Sequence, residues 1–323
     1  MTHIQKSIFF SILLFLTLTT ACKTSKEPSI HIPIHRYEKA LLSIPMDSIQ
    51  EGIAAIQDSF PLFLENTNLS DSLNILKISN FMNDPLVKES NLKIDKKFGN
   101  CSELQRQLEF LFQNYTSLFP KEKIPSINTY ISNFDYENRV LYVNHILAIS
   151  LDMYLGESEP NYQALGIPHY LRRRLSPEYI QVDVAKILAV NQIPPTQCKT
   201  LLDELIYKGK IIYIVHSLLP KVSEEVILGY TPEQLQWAKE NESSVWQYLI
   251  QEQLLYETNY TKFKQYFNEG PGNVPFQGSP ARLGEWIGLQ IISKYASKHT
   301  DLSTLLQEPD AQIILKDSGY KGK

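Results

Sequence analysis

Cys101, Leu104, Leu108, Leu111, Tyr115 and Leu118 recur at steps of three and four, and that spacing constrains the fold more than any other feature of the chain. Residues so spaced share one face of a 3.6-residue period, so the segment is predicted to be an amphipathic helix with this stripe against a core. Helical patterning extends over residues 36–119. Between 126 and 144 the period shortens: Ile127, Tyr130 and Ile131 lead to Phe134, Asp135-Tyr136-Glu137-Asn138 offers a turn, and Val140, Tyr142 and Val143 follow. This predicts two strands joined as a hairpin. From 145 onward the pattern returns to helix. Residues 201–219 are apolar on nearly every face, as in a helix at the centre of a domain. Thr231-Pro232-Glu233-Gln234 is a capping box with Pro at the first helical position, which marks a helix start. Residues 268–281 hold three Gly and three Pro and are expected to be a loop. Leu283, Ile287, Ile291 and Tyr295 then make the stripe of a late helix. The expected fold class is α+β: a single, mostly helical domain over 36–323 with a small β-hairpin or sheet.

The N-terminus carries a different kind of signal. Lys6 precedes an apolar run over 8–18, and Leu18-Thr19-Thr20-Ala21-Cys22 closes it. A positive residue, an apolar stretch too short to span a bilayer, and small residues before a cysteine make a bacterial lipobox. Residues 1–21 are thus expected to be a lipoprotein signal peptide, and Cys22 to begin the mature chain with a diacylglycerol thioether and an N-acyl chain such as palmitate. Several acyl chains anchor, where one gives only transient contact. Lys-Thr-Ser-Lys-Glu-Pro-Ser-Ile at 23–30 is too polar to order itself, so residues 22–35 are expected to tether the lipid to the domain.

Export bounds the rest. Hydrophobic residues make up 43% and charged residues 20% of the chain, and the net charge of -4 leaves no basic field for nucleic acid. Arg172-Arg173-Arg174 is the local cationic cluster, best read as a solvated helix face or an ion-pair network. An oxidising compartment permits a disulfide between Cys101 and Cys198, but spacing cannot show that they meet. The seven histidines offer no metal-binding pair, because the only two at helical spacing, His31 and His35, flank Pro33. No HExxH, Cys/His zinc spacing, GxSxG or phosphate-binding glycine loop occurs. No metal and no cofactor is expected. Gly284 and Gly288 stand four apart, a spacing that lets another helix of the same domain approach closely.

Two apolar segments contain charges. Asp152 is the sole acid of residues 145–156, and Lys208 and Lys210 interrupt 201–219. Lysine stems can snorkel to water, but buried charges persist only when paired or hydrogen-bonded.

The run Ile149-Ser150-Leu151-Asp152-Met153-Tyr154-Leu155-Gly156, with Tyr162, Pro168-His169-Tyr170-Leu171 and Asp183, resembles the signature of the GldB family of gliding-motility lipoproteins of Bacteroidetes. Four later segments agree in order: residues 205–213, Gly229-Tyr230-Thr231-Pro232-Glu233-Gln234-Leu235-Gln236-Trp237, Glu252-Gln253-Leu254-Leu255-Tyr256, and 284–291. The resemblance implies an outer-membrane lipoprotein facing the periplasm, with protein partners in the gliding machinery or the secretion machinery linked to it. A weaker similarity is to gluzincin-type zinc proteases. It lays residues 151–155 over the metal helix and 208–213 over the third-ligand helix, with Leu151, Leu155 and Lys208 where ligands would stand and Asp152 where the base would be. Aliphatic side chains and an ammonium cannot ligate zinc, so this similarity implies a zincin-like pseudoenzyme. It also places Asp152 and Lys208 face to face as a buried pair. Tyr154, Arg173, Asp183, Lys210 and Trp286 are the candidate interaction or cleft residues. The competing reading is a periplasmic hydrolase or ligand-binding protein for peptide or glycan, using acids near Asp152 and Asp183.

Overall fold

The computed structural model describes residues 28–270, 276–299 and 301–323. The expected signal peptide and Cys22 lie outside these residues. Among them the fold is α+β, mostly helical, with one mixed four-stranded sheet in the order β1 (Ile34–Arg36), β2 (Ser126–Tyr130), β4 (Ile146–Ser150), β3 (Val140–Val143).

The chain docks earlier than the expected tether boundary. Ser29 N donates to Gln113 Oε1 at 2.9 Å, Ile32 N donates to the buried Glu109 at 3.0 Å, and Ile34–Arg36 pairs with β2 as a parallel strand. Residues 29–35 therefore belong to the folded body.

The sheet departs from the expected β2–β3 hairpin. β4 lies between them, parallel to β2 through Ile127↔Leu147 and Thr129↔Ile149, and antiparallel to β3 through Val143↔Ile146. The hairpin turn is Asn144-His145, both left-handed at φ 49° and 60°. A two-residue turn with two positive φ values matches the twist of its strands, and Asn is among the residues that tolerate it. Asp135 instead organises the loop before β3 by accepting from Glu137 N and Asn138 N. The return to helix at 145 was also misplaced: Ile146–Ser150 is a buried central strand, and Leu151–Tyr154 is a 3-10 turn. A short unbroken apolar run fits either a buried strand or a buried helix, so periodicity could not separate them.

The longer helices are α1 (Ile49–Gln57), α2 (Ser72–Asn83), α3 (Pro85–Phe98), α4 (Ser102–Leu118), α5 (Ile180–Gln192), α6 (Leu201–Leu218), α7 (Pro232–Gln251), α8 (Leu283–Ala296) and α9 (Ala311–Ser318). The stripe of α4 is buried as its spacing requires, with Leu104, Leu108, Leu111 and Tyr115 in the main core. Helix α6 runs through that core and is crossed by α8 at glycines. A Cβ on Gly288 would sit 2.0 Å from Leu205 O, and one on Gly209 would sit 2.3 Å from the Gly288 carbonyl carbon. Only bare backbone permits this crossing, so the small-residue pair serves helix packing within the domain. A satellite core of Leu41, Ile53, Phe60, Leu64 and Met82 holds the N-terminal helices. No described helix is long and apolar enough to cross a membrane.

Candidate functional site

Three arginines converge where α7, α8 and the segment after the short helix His169–Arg172 meet. The glycine at 229 makes that convergence possible. It closes the helix Glu224–Leu228 in the left-handed region at φ 66°, where glycine carries no steric cost. A Cβ there would lie 2.8 Å from Arg174 Cδ and 3.0 Å from an Arg282 terminal nitrogen. Two residues on, Thr231 caps α7 through the expected box: its hydroxyl accepts from Gln234 N, and Gln234 Oε1 accepts from Thr231 N.

Each arginine is held by its neighbours. Arg173 donates to Gly229 O at 2.6 Å, Arg174 pairs with Glu269, and Arg282 donates to Leu228 O. Arg282 also lies 3.5 Å from Glu285. It is a non-glycine residue at φ 52°, at the N-cap of α8, and its buried Nε has no acceptor. Backbone strain and an orphan donor in one buried residue are features that concentrate at binding sites. The three side chains line an open cavity of about 240 Å³, with Tyr170 and the His169–Glu157 pair (3.2 Å) at its mouth.

Behind the cavity lies a second layer of charge. Asp183, in the first turn of α5, accepts from Arg139 Nε at 2.8 Å and from the Tyr154 hydroxyl at 2.8 Å. Burial pushes the Asp183 carboxyl upward, but the Arg139 charge and hydrogen bonds outweigh it and hold the group at about 2. Lys186, one turn further along α5, is pushed down to about 8 by burial, against the opposing pull of Glu285. Burial raises the Tyr154 hydroxyl well above its ordinary value.

Of the residues expected to form a cleft, Arg173 lines the cavity, and Asp183 and Tyr154 lie together in the layer behind it. Trp286 is buried on α8, with its indole N–H unpartnered. Lys210 lies apart, donating to Glu308 O at 2.7 Å near the end of the helix Leu302–Gln307. The Asp152–Lys208 pair does not form. Asp152 accepts from Phe134 N at 2.7 Å, Ser132 N at 3.1 Å and Ser150 Oγ at 2.5 Å. Asn133 and Phe134 are both left-handed, which turns the amides of this loop toward the carboxylate. Lys208 is part-exposed and lies 3.7 Å from Glu204, one helical turn back. The segment expected as a former metal helix is a strand end and a turn, so the face-to-face placement fails. Cys101 and Cys198 are both free thiols.

Sequence reasoning missed Arg139, Lys186, Glu269, Arg282 and Glu285. The arginine run was a usable signal for Arg174, whose ion pair is of the kind expected; the others are lone charges in unremarkable contexts. Among the described residues no cluster of His, Cys, Asp or Glu is placed to hold a metal.

The cavity offers fixed positive charge and hydrogen-bond donors. A guanidinium stays protonated throughout the physiological range, so these groups can orient an anion but cannot shuttle protons. In comparisons with known proteins, the family model for gliding motility protein GldB matches residues 20–322. No curated protein and no solved structure matches the chain.

Proposed function

We infer the role of this protein from its family: the chain belongs to the GldB family of gliding-motility proteins. It acts as an outer-membrane lipoprotein of Bacteroidetes, anchored through acylated Cys22, facing the periplasm, and assisting gliding or the linked secretion machinery through protein contacts without catalysis. The observation that supports the contact reading is the composition of the cavity, where Arg173, Arg174 and Arg282 are held in place by Gly229 O, Glu269 and Leu228 O and supply fixed positive charge. Catalysis by proton transfer needs a group whose pKa lies near the working pH. His169 stands exposed beside Glu157 at the mouth of the cavity. The test is a photocrosslinking residue at exposed Tyr170 in living, gliding cells, followed by identification of what it captures. Capture of an envelope motility or secretion component is expected. Capture of none, together with hydrolysis of peptides or glycans by the purified protein that Arg173→Gln abolishes, would replace this reading with the hydrolase.

A further inference from the structure

We propose that the arginine-lined cavity is a carboxylate-binding site that takes a single acidic group of a partner polypeptide, either its C-terminus or an Asp or Glu side chain. This deepens the protein-contact reading above and rests on it. The cavity wall presents the guanidiniums of Arg173, Arg174 and Arg282 against the carboxylates of Glu157 and Glu269, an excess of one positive charge. Behind it Arg139 pairs with Asp183, and Glu285 is shared between Lys186 and Arg282. Arg174 and Arg282 have carboxylate neighbours in Glu269 and Glu285, whereas half-buried Arg173 is held by the Gly229 carbonyl and is the guanidinium that a monoanion would engage.

The donors fit the same ligand. Arg282 is only 4% exposed and lines the cavity, and its Nε lacks an acceptor. Arg173 spends one terminal nitrogen on Gly229 O, which leaves the other edge of a planar fork suited to bidentate carboxylate. Phosphate carries up to two charges at neutral pH, and a second charge would face Glu157 and Glu269 with nothing to balance it. The volume of about 240 Å³ admits a chain end or a side chain, not a folded surface. Gly229, Arg174 and Arg282 hold the site before any ligand arrives, which lowers the ordering cost of binding.

The experiment uses the lipidated mature chain in detergent. Calorimetric titration and thermal unfolding, at fixed ionic strength, compare acetate, inorganic phosphate, an N-acetylated hexapeptide with a free C-terminus, its C-terminal amide, and an amidated peptide with one internal Glu. Binding of a carboxylate probe with a raised Tm, and no response to phosphate or the uncharged amide, is the expected result. The free-terminus and internal-Glu peptides tell the two sources apart. Arg173→Gln should weaken binding at least tenfold with an unchanged circular dichroism spectrum. Arg173→Lys keeps the charge, loses the fork, and should weaken binding severalfold. No carboxylate binding, tighter binding of phosphate, or parental affinity in both variants overturns the proposal. If carboxylates bind but Arg173→Gln cells glide and crosslink like the parent, the site stands and its use in motility falls. If crosslinking to a partner persists while no carboxylate binds, the contact reading stands and this ligand falls.

Discussion

Arg139 Nε lies 2.8 Å from Asp183 Oδ2, and both side chains are largely withdrawn from water. The Tyr154 hydroxyl completes the carboxylate at the same oxygen. A buried ion pair with its remaining lone pairs satisfied is stable as a unit but costly to break, because the surviving charge has no water to return to. Asp183→Asn should therefore destabilise the fold by about 3–5 kcal/mol, measured by urea unfolding at pH 7. Replacing both residues, Arg139→Met with Asp183→Leu, should cost less than the single change.

The same pair sets an acid limit. Its carboxyl sits at about 2 in the folded protein against an ordinary 3.8, so the unfolded chain binds the proton more readily between those values. The stabilisation is fully present above the unfolded value and is lost as pH falls through the folded one. It amounts to about 2 kcal/mol at 1.36 kcal/mol per unit. Unfolding curves from pH 6 to pH 2 should show the gap between the parent and Asp183→Asn narrowing by about that much. A constant gap would mean that Asp183 is not ionised in the native state.

Asp152 and Lys208 should act independently. Asp152→Leu leaves the Ser132 and Phe134 amides without their acceptor, and orphaned buried donors cost about 1–3 kcal/mol each. Lys208→Met on the part-exposed turn of α6 should stay within about 0.5 kcal/mol. The double variant should equal the sum within about 0.5 kcal/mol. A coupling energy well above that would restore the pair.

How far the sequence reaches is clear from these residues. Periodicity finds α4 and α8, because a buried helical face imposes a repeat that every residue along it must respect, and α6 is legible from its long run apolar on nearly every face. The Thr231 capping box was legible because it is entirely local. The central strand Ile146–Ser150 was not, since burial on both faces erases alternation, and the Asn144-His145 turn was the only local sign of its hairpin. The site was least legible. Arg139 and Asp183 are 44 residues apart, Arg174 and Glu269 are 95 apart, and no local pattern connects them. Asp152 is a charge in an apolar setting, but its partners are the Ser132 and Phe134 amides and the hydroxyls of Ser132 and Ser150, and amides leave no trace in residue identity.

The α6–α8 crossing offers a test in which two effects oppose. Ala for Gly in a helix interior is favourable by about 1 kcal/mol on propensity alone, which would make Gly288→Ala stabilising. The new Cβ, however, meets the Leu205 carbonyl oxygen at 2.0 Å, and backbone in two packed helices cannot step aside as a side chain can. Overpacking of this kind costs about 1–3 kcal/mol or more, so the net change should be destabilising in thermal or urea unfolding. Gly284→Ala is the control. Its Cβ meets the Phe267 ring, which can rotate away, so its cost should be smaller than that of Gly288→Ala.

Cys22→Ser tests the anchor. The lipobox reading makes this thiol the attachment point of the diacylglycerol. Signal peptidase acting on lipoproteins requires the modified cysteine, so the variant should incorporate no labelled palmitate and should keep residues 1–21. Each buried acyl methylene contributes about 0.8 kcal/mol of membrane affinity, so two or more chains hold the parent in the membrane fraction after a high-salt wash. Membrane binding of the variant would then rest on the uncleaved apolar run at 8–18, and fusing its residues 23–323 behind a cleavable secretory signal should release the protein into the soluble periplasmic fraction. Palmitate label retained by Cys22→Ser would refute the assignment. Membrane retention of the cleaved chain lacking Cys22 would place the anchor elsewhere in the fold.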